Sequence, residues 1–278
     1  MRLALIGVGM IGGSFARALR ASGKVDQVVG FDTRSEALRR AIELGVIDRF
    51  TESAAHAVDQ CEVVMIATPV GSTQGVLQAI APNLSSTAIV TDVGSTKMSV
   101  VEAARHALGA SFKRFVPGHP IAGSEQSGVE YSETALFRDK LFIATPVEQT
   151  DLEAVCHVED LWRSVGSRVE RMTPEEHDTI FAAVSHLPHL LAFALVAQIA
   201  ADPDAERKFE LAGAGFRDFT RIAASSPVMW GDICVANRIA LGDELRQHRS
   251  VLAQLQQAID ECDRDTLLSV FSGSAGRA

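Results

Sequence analysis

The sequence predicts an α/β amino-terminal half built on a doubly wound parallel sheet, followed by an all-α carboxy-terminal domain. Three observations predict it. Up to about residue 150, short β-branched apolar runs alternate with helical stretches, the signature of βαβ units. A Gly7-Val8-Gly9-Met10-Ile11-Gly12 stretch joins the first such run to the first helical one. After Pro146 the strand-like runs give way to helical periodicity. With 278 residues, 47% of them hydrophobic, the chain can bury a sizeable core and form two domains, which we place at 1–150 and 151–278.

In chain order, the expected strands are Leu3–Ile6, Gln27–Phe31, Val63–Ala67 and Ala88–Asp92, each followed by turn residues and a helix. Val63-Val64-Met65-Ile66-Ala67 is continuously apolar, as a strand buried on both faces must be. Phe115–Pro117 and Leu141–Thr145 are candidates to extend the same sheet. Beyond them, Asp151–Val165 has the pattern of one amphipathic helix. Thr173-Pro174-Glu175-Glu176 is a helix start, with Thr173 as N-cap, Pro174 in the first turn and Glu176 closing a capping box. Phe181–Ala201 is apolar nearly all round, so it is expected as a helix, or a helix pair kinked at Pro188, buried in a bundle or subunit interface. A second long helix is expected from Pro227 past Leu255, with Ile239, Leu245, Leu252, Leu255 and Ile259 on its apolar side. The tail Ser272-Gly273-Ser274-Ala275-Gly276 has the composition of a disordered end.

Charge narrows the partners. The chain carries 26 Lys+Arg against 35 Asp+Glu, a net charge of -9 spread along its length, which repels nucleic-acid phosphates and anionic membranes. Cys61, Cys156, Cys234 and Cys262 form no CxxC pair and no histidine cluster stands at ligand spacing, so no metal site is expected. The run Met1–Ile6 is too short for a signal segment, and Leu187–Ala201, interrupted by His189 and Gln198, is expected to fall short of a bilayer span. A soluble cytoplasmic protein is therefore expected.

Gly7, Gly9 and Gly12 have the spacing of a Rossmann dinucleotide loop: a tight turn, a close backbone approach to pyrophosphate, and close helix–strand packing, with Met10 and Ile11 opening the helix. Asp32 ends the second strand twenty residues beyond Gly12, where an acid binds the adenosine ribose hydroxyls and repels a 2′-phosphate. NAD is thus expected over NADP, with Arg34 as the residue that could pair with a phosphate. Thr68 and Pro69, after the third strand, are assigned to the cofactor wall, and Ser95, after the fourth, to substrate or nicotinamide.

His119 lies in Pro117-Gly118-His119-Pro120-Ile121-Ala122-Gly123-Ser124-Glu125, held between a glycine and a proline. A neutral imidazole there suits a dehydrogenase base that takes a hydroxyl proton as hydride leaves the same carbon, with Glu125 nearby to orient or tune it. His177, His186 and His189 follow; at 100° per residue His177 and His186 fall on opposite faces of an ideal helix. His177 and His189 are therefore assigned to the site lining and His186 to the core or a cap. Arg217 and, second, Arg221 lie in the glycine-rich Gly213-Ala214-Gly215-Phe216-Arg217-Asp218-Phe219-Thr220-Arg221 and could grip a carboxylate in bidentate fashion.

Taken in order, the glycine loop, Asp-Val-Gly-Ser-Thr-Lys, His-Pro-Ile-Ala-Gly-Ser-Glu, Ser-His-Leu-Pro-His and Gly-Phe-Arg-Asp-Phe-Thr-Arg-Ile resemble the prephenate/arogenate (cyclohexadienyl) dehydrogenases of tyrosine biosynthesis, over nearly the whole chain. The resemblance implies oxidative decarboxylation of prephenate or arogenate with NAD(P). It implies that His119 deprotonates the ring hydroxyl, Ser95 binds the same region, and Glu125, beside Ser124, shapes the pocket. It further implies that Arg217 holds a substrate carboxylate, that His189 supports substrate from the helical domain, and that the protein is a homodimer through that domain. Two rivals are a 3-hydroxyacid-type NAD-dependent dehydrogenase, which would need a lysine base in the helical domain where Thr173–Ala201 has none, and a non-catalytic NAD sensor, which would need no polar set around His119.

Overall fold

The computed structural model describes residues 1–123 and 126–274. Six parallel strands form the main sheet in the order β3-β2-β1-β4-β5-β6: β1 (Arg2–Ile6), β2 (Gln27–Phe31), β3 (Arg49–Phe50), β4 (Val63–Ile66), β5 (Ile89–Asp92) and β6 (Phe115–Val116). β1 pairs β2 on one side and β4 on the other, so the strand order reverses beside it and opens a crevice at the carboxyl edge. β4 and β5 are buried at every residue; β4 is apolar throughout, as a strand covered on both faces must be, whereas β5 ends on the buried polar pair Thr91 and Asp92. The crossovers run through α1 (Met10–Ala21), α2 (Ser35–Glu43), the one-turn α3 (Ala54–Ala57), α4 (Thr73–Ile80) and α5 (Met98–Leu108).

Of the two late candidates, Phe115–Val116 joins this sheet but Leu141–Thr145 does not. Pro117, lacking an N–H, ends the β6 ladder, and the chain enters a second sheet ordered β7 (Gly118–Ile121), β8 (Leu141–Ala144), β9 (Arg168–Arg171). β7 is an edge strand, which is where Pro120 can be accommodated without costing a ladder bond. α6 (Leu152–Ser164) connects β8 to β9. Its Val155, Val158, Leu161 and Trp162 are buried at helical spacing, and Trp162 stacks on Phe142 at 4.2 Å and meets Phe15 at 4.4 Å. One aromatic cluster therefore ties α1, β8 and α6 together, and positions the small sheet that carries His119.

The helical part begins at α7 (Pro174–Phe181), where the Thr173 hydroxyl accepts from the Glu176 N–H as expected. A π-helical turn over Ala182–His186 then leads without a break into α8 (Leu187–Ala200). Pro188 removes one helical N–H, and the wider π turn ahead of it absorbs that loss, so the helix neither stops nor splits. The resulting 27-residue helix, Pro174–Ala200, is long and apolar enough to cross a membrane by length and composition, its most apolar 18 residues having a mean hydropathy of 1.9, although the apolar Leu187–Ala200 segment by itself has only 14 residues. Its buried His177, Asp178 and His186 instead bind groups inside this fold.

Three further elements follow: α9 (Ala205–Glu210), α10 (Ala214–Thr220) and α11 (Pro227–Ala236). The long helix expected from Pro227 is two, because α11 stops at Asn237, and α12 (Arg238–Asp260) starts afresh. Asn237 is buried and donates its side-chain N–H groups inward, which favours a break over a continued helix. α13 (Arg264–Ser274) shows Ser272–Ser274 to be helical rather than irregular; Ala275 and Gly276 lie outside the described residues. This part has little core of its own: Ala182, Leu187 and Leu241 are the buried members of its cluster, while Val184, Val228, Val235 and Ile239 are exposed.

Candidate active site

The glycine loop turns from β1 into α1 at the carboxyl edge of the sheet. Gly7 has φ +93°, open to glycine at little cost, and its backbone rests on the Ala67 carbonyl, which brings Thr68 beside the loop. At Gly9 a Cβ would meet nothing within 4 Å, so the backbone here faces open space. Gly9 is also the N-cap of α1 and provides no side-chain cap, leaving the first-turn N–H groups available to an anion. Gly9→Ala is accordingly expected to leave the melting temperature within about 2 °C of wild type while weakening dinucleotide binding at least about tenfold. Unchanged affinity by titration calorimetry would remove the loop from the binding site.

Asp32 faces this loop. One carboxylate oxygen accepts from the Val8 N–H at 3.0 Å, and the other accepts from the backbone N–H of Arg34 at 2.9 Å and its Nε at 3.1 Å. Arg34 is thus an ion-pair partner of Asp32, and that hydrogen bond, with the charges of Asp32 and Glu130, raises its pKa against a smaller opposing effect of burial. The buried Thr68 hydroxyl has no hydrogen-bond partner among the described residues, which suits a wall completed by a ligand. Pro69 beside it is exposed. Met10 and Ile11 reach toward Gly123, just past β7, and so stand between the loop and the strand that carries His119.

The second half of the site is fastened by buried charge. Asp92, at the end of β5, accepts from the N–H groups of Gly94 (2.7 Å) and Gly118 (3.1 Å). Lys97, fully buried, donates its Nζ to the Asp92 carboxylate and to the Gly118 carbonyl at 2.6 Å. Both peptide groups of Gly118 are therefore gripped, and the turn bearing the half-buried Ser95 is locked beside the strand bearing His119. Burial lowers the Lys97 pKa; the charge of Asp92 and the hydrogen bond to it oppose the shift.

His119 is half-buried. Its Nδ1 lies 2.9 Å from Nε2 of His177, whose Nδ1 lies 2.8 Å from Asp178 Oδ1. Phe181 packs on both rings, at 5.1 Å from His119 and 4.5 Å from His177. Burial first, then the neighbouring His177, Lys97 and His186, push the His119 pKa well below its ordinary 6.5, which keeps the imidazole neutral and able to accept a proton. His177 is completely buried behind His119, so it supports that ring rather than lining a substrate cavity.

His186, expected in the core, is there: Asn237 donates to its Nδ1 at 3.0 Å. Burial lowers its pKa to about 4 against the opposing charge of Asp178. His189 is half-buried, stacks on Trp230 at 3.7 Å, and donates from Nδ1 to the Ser185 carbonyl at 2.9 Å. Burial lowers its pKa too, and the charge of Arg221 adds to the effect. Arg221 thus lies within electrostatic reach of His189. Arg217 is exposed on α10, and no ion pair of its side chain occurs among the described residues. Ser124 and Glu125 lie outside the described residues.

The buried histidines have a consequence for stability. Their native pKa values lie below that of the unfolded chain, so the unfolded state binds more protons as pH falls through 6.5. The stabilisation they contribute is complete above pH 6.5 and lost below it. With its native value about 4, His186 alone is expected to lower unfolding free energy by about 2 kcal/mol between pH 7 and pH 5. Urea denaturation at the two pH values measures this; equal stability would contradict it.

Sequence reasoning missed Asp92, Lys97, Asp178 and Asn237. The first two stood in view in the Asp92–Lys97 turn, but nothing local marks them as a buried pair. Asp178 follows His177 directly, yet its other partners, Lys97 and Met98, are 81 and 80 residues away.

With this geometry in view, the comparisons with known proteins agree with one another. The family model described as prephenate dehydrogenase, nucleotide-binding domain, matches residues 15–171, and the one described as prephenate dehydrogenase, dimerization domain, matches residues 173–273. The chain is 36% identical over 272 residues to a prephenate dehydrogenase of Bacillus subtilis, covering 96% of this chain and 72% of the relative. It is 36% identical over 277 residues to a cyclohexadienyl dehydrogenase of Zymomonas mobilis, covering 98% and 93%. Among solved structures, the prephenate dehydrogenase of A. aeolicus in complex with hydroxyphenyl propionate and NAD+ superposes with a TM-score of 0.92 at 39% identity, covering 100% of this chain and 97% of the other.

Proposed function

The chain belongs to the prephenate dehydrogenase family, and from that premise we propose that it oxidises and decarboxylates prephenate, L-arogenate or both with NAD, giving 4-hydroxyphenylpyruvate or L-tyrosine. The observation that carries the reading is His119: a neutral imidazole, held at its Nδ1 by His177, on a strand clamped beside the Ser95 turn. A second solved structure of the family, from Synechocystis, is an arogenate dehydrogenase, with a TM-score of 0.82 at 28% identity over 100% of this chain and 98% of that one. Both substrates are therefore within the family's range.

The residues at the first crevice fit a dinucleotide. The loop from Gly7 to Gly12 and the uncapped start of α1 would hold the pyrophosphate, with Met10 and Ile11 in the first turn. Asp32 would bind the ribose hydroxyls, and Thr68 and Pro69 would form the wall. The ion pair that holds Arg34 on Asp32, with Glu130 nearby, favours NAD over NADP. When bound, the nicotinamide supplies the hydride acceptor.

The chain's own groups do the rest. His119 Nε2 accepts the proton of the ring hydroxyl as the carbinol hydride departs and the ring carboxylate leaves as carbon dioxide. Ser95 hydrogen-bonds the same oxygen. Aromatisation of the ring drives the step, so positioning and one base suffice. Arg217 and Arg221 grip the side-chain carboxylate, Arg221 from beside His189, which lines the pocket on its Trp230 stack. We carry Ser124 and Glu125 over as pocket residues on the family motif alone.

The protein acts as a soluble cytoplasmic homodimer through its helical part. The accessible surface is 14546 Å², about a quarter more than the roughly 11,600 Å² of a compact monomer of this mass. The excess coincides with exposed apolar side chains such as Val184, Val235 and Ile239 on long helices. We place the boundary between the two domains after Arg171, because α6 and β9 complete the amino-terminal core. Following NADH absorbance with prephenate and, separately, L-arogenate, each repeated with NADP, tests the proposal. Turnover with NAD supports it; tight NAD binding without turnover of either substrate would overturn it.

A further inference from the structure

We propose that Asp178 and His177 are positioning residues that set the tautomer of His119 and hold its Nε2 as the proton acceptor. The inference deepens the function proposed above and rests on its assignment of His119 as the base. Neither residue is placed to touch substrate: both side chains are buried, and His177 meets His119 only at its Nδ1.

Donors and acceptors along the chain fix both tautomers. Asp178 accepts from two backbone N–H groups, those of Lys97 to Oδ1 at 2.8 Å and Met98 to Oδ2 at 2.9 Å, at the start of α5. Its carboxylate is therefore anchored as an acceptor, and its 2.8 Å contact with His177 Nδ1 requires a proton on that nitrogen. Burial, with the charge of Lys97, works against a charged His177, and the hydrogen bond to Asp178 works for it; the net shift is downward. A neutral His177 protonated at Nδ1 has its lone pair on Nε2. That lone pair faces His119 Nδ1 at 2.9 Å, and two lone pairs do not face each other at hydrogen-bond distance, so His119 Nδ1 carries the proton. The remaining lone pair of His119 is then on Nε2.

The same chain assists after proton transfer. An imidazolium at His119 is stabilised through His177 by the Asp178 carboxylate, the logic of a Ser-His-Asp triad with a second imidazole in the middle position. Phe181 restrains both rings, and Asn237 donates to the Asp178 carbonyl at 2.8 Å, so the relay is held from α7 and from the α11–α12 break. Among the described residues, the other charged or titratable groups facing the two imidazoles are Asp92 at the end of β5, Lys97 at the start of α5 and His186 from the π turn.

Three variants and one spectroscopic measurement test the relay. His177→Phe keeps ring packing on Phe181 but offers no acceptor, and is expected to lower kcat about 100-fold with KM and NAD affinity within about threefold. His177→Gln can accept the His119 proton at its amide oxygen and is expected to recover kcat to within about tenfold of wild type. Asp178→Asn is expected to lose about 100-fold or more, since its amide must direct an N–H toward a backbone donor or toward His177. If that variant does not fold, because Asp178 also joins α5 to α7, the His177 pair carries the test. Long-range proton–nitrogen correlation spectra of protein labelled with nitrogen-15 histidine are expected to show His119 protonated at Nδ1 in wild type and a mixture of tautomers in His177→Phe. His119 protonated at Nε2 in wild type, or wild-type kcat in His177→Phe, would overturn the inference. The spectra need no turnover, so a wild-type protein inactive on prephenate and arogenate would sink the functional proposal while the tautomer still judges the relay.

Discussion

Replacing His119 with asparagine is expected to lower kcat for the oxidised substrate about 1,000-fold while leaving NAD affinity within about twofold of wild type. The substitution is chosen for what it keeps. An asparagine amide sits near the imidazole Nδ1 and can still donate to His177, so the buried nitrogen behind it retains a partner. What vanishes is the acceptor at Nε2. The loss should appear in kcat and kcat/KM together, because the proton moves only in the transition state. The acid limb of the pH profile should vanish with it. A variant with kcat within tenfold of wild type would assign the proton to another group.

Lys97→Met is expected to be the most damaging single change to stability, at about 3–5 kcal/mol. Methionine fills similar space, so packing is nearly preserved and the effect isolates the charge. The Asp92 carboxylate, 3% exposed, would be left without its cation, and the Gly118 carbonyl would lose its donor. Adding Asp92→Asn to Lys97→Met should recover part of the loss, because a neutral amide removes the buried unpaired charge. Chemical denaturation of both variants measures this. Catalysis should not recover in the double variant, since His119 would still have lost the clamp on Gly118. A single variant as stable as wild type would mean that the pair contributes nothing net.

What could be read from the sequence was local chemistry. The glycine loop, Asp32 and the Thr173 cap each state their role within a few residues of turn or helix start, and each stands where expected. His119 was legible because Gly118 and Pro120 leave its backbone little freedom. The relay behind it was not, because Asp178 acquires its role only when α7 packs on the start of α5. The phase of the histidines misled for a related reason. An ideal helix sets His177 and His186 on opposite faces, but the π turn between Ala182 and His186 slips the register, and both join one cluster around Asp178 and Asn237. Leu141–Thr145 had the apolar content of a core strand; its choice of sheet depended on Pro117 ending the ladder before it. The break at Asn237 was hidden because the apolar pattern of α11 and α12 runs straight across it.

The dependence of kcat/KM on pH tests most directly that a neutral His119 accepts the proton, since that ratio reports the free enzyme. Burial and the flanking His177, Lys97 and His186 hold the His119 pKa well below 6.5. The base is therefore competent above its own depressed value. Measured from pH 5 to pH 9 with NAD saturating, kcat/KM is expected to stay level down through pH 6.5 and to fall only below it. An acid limb centred at or above 6.5 would contradict the account, because the base would then be a group that the fold does not hold neutral.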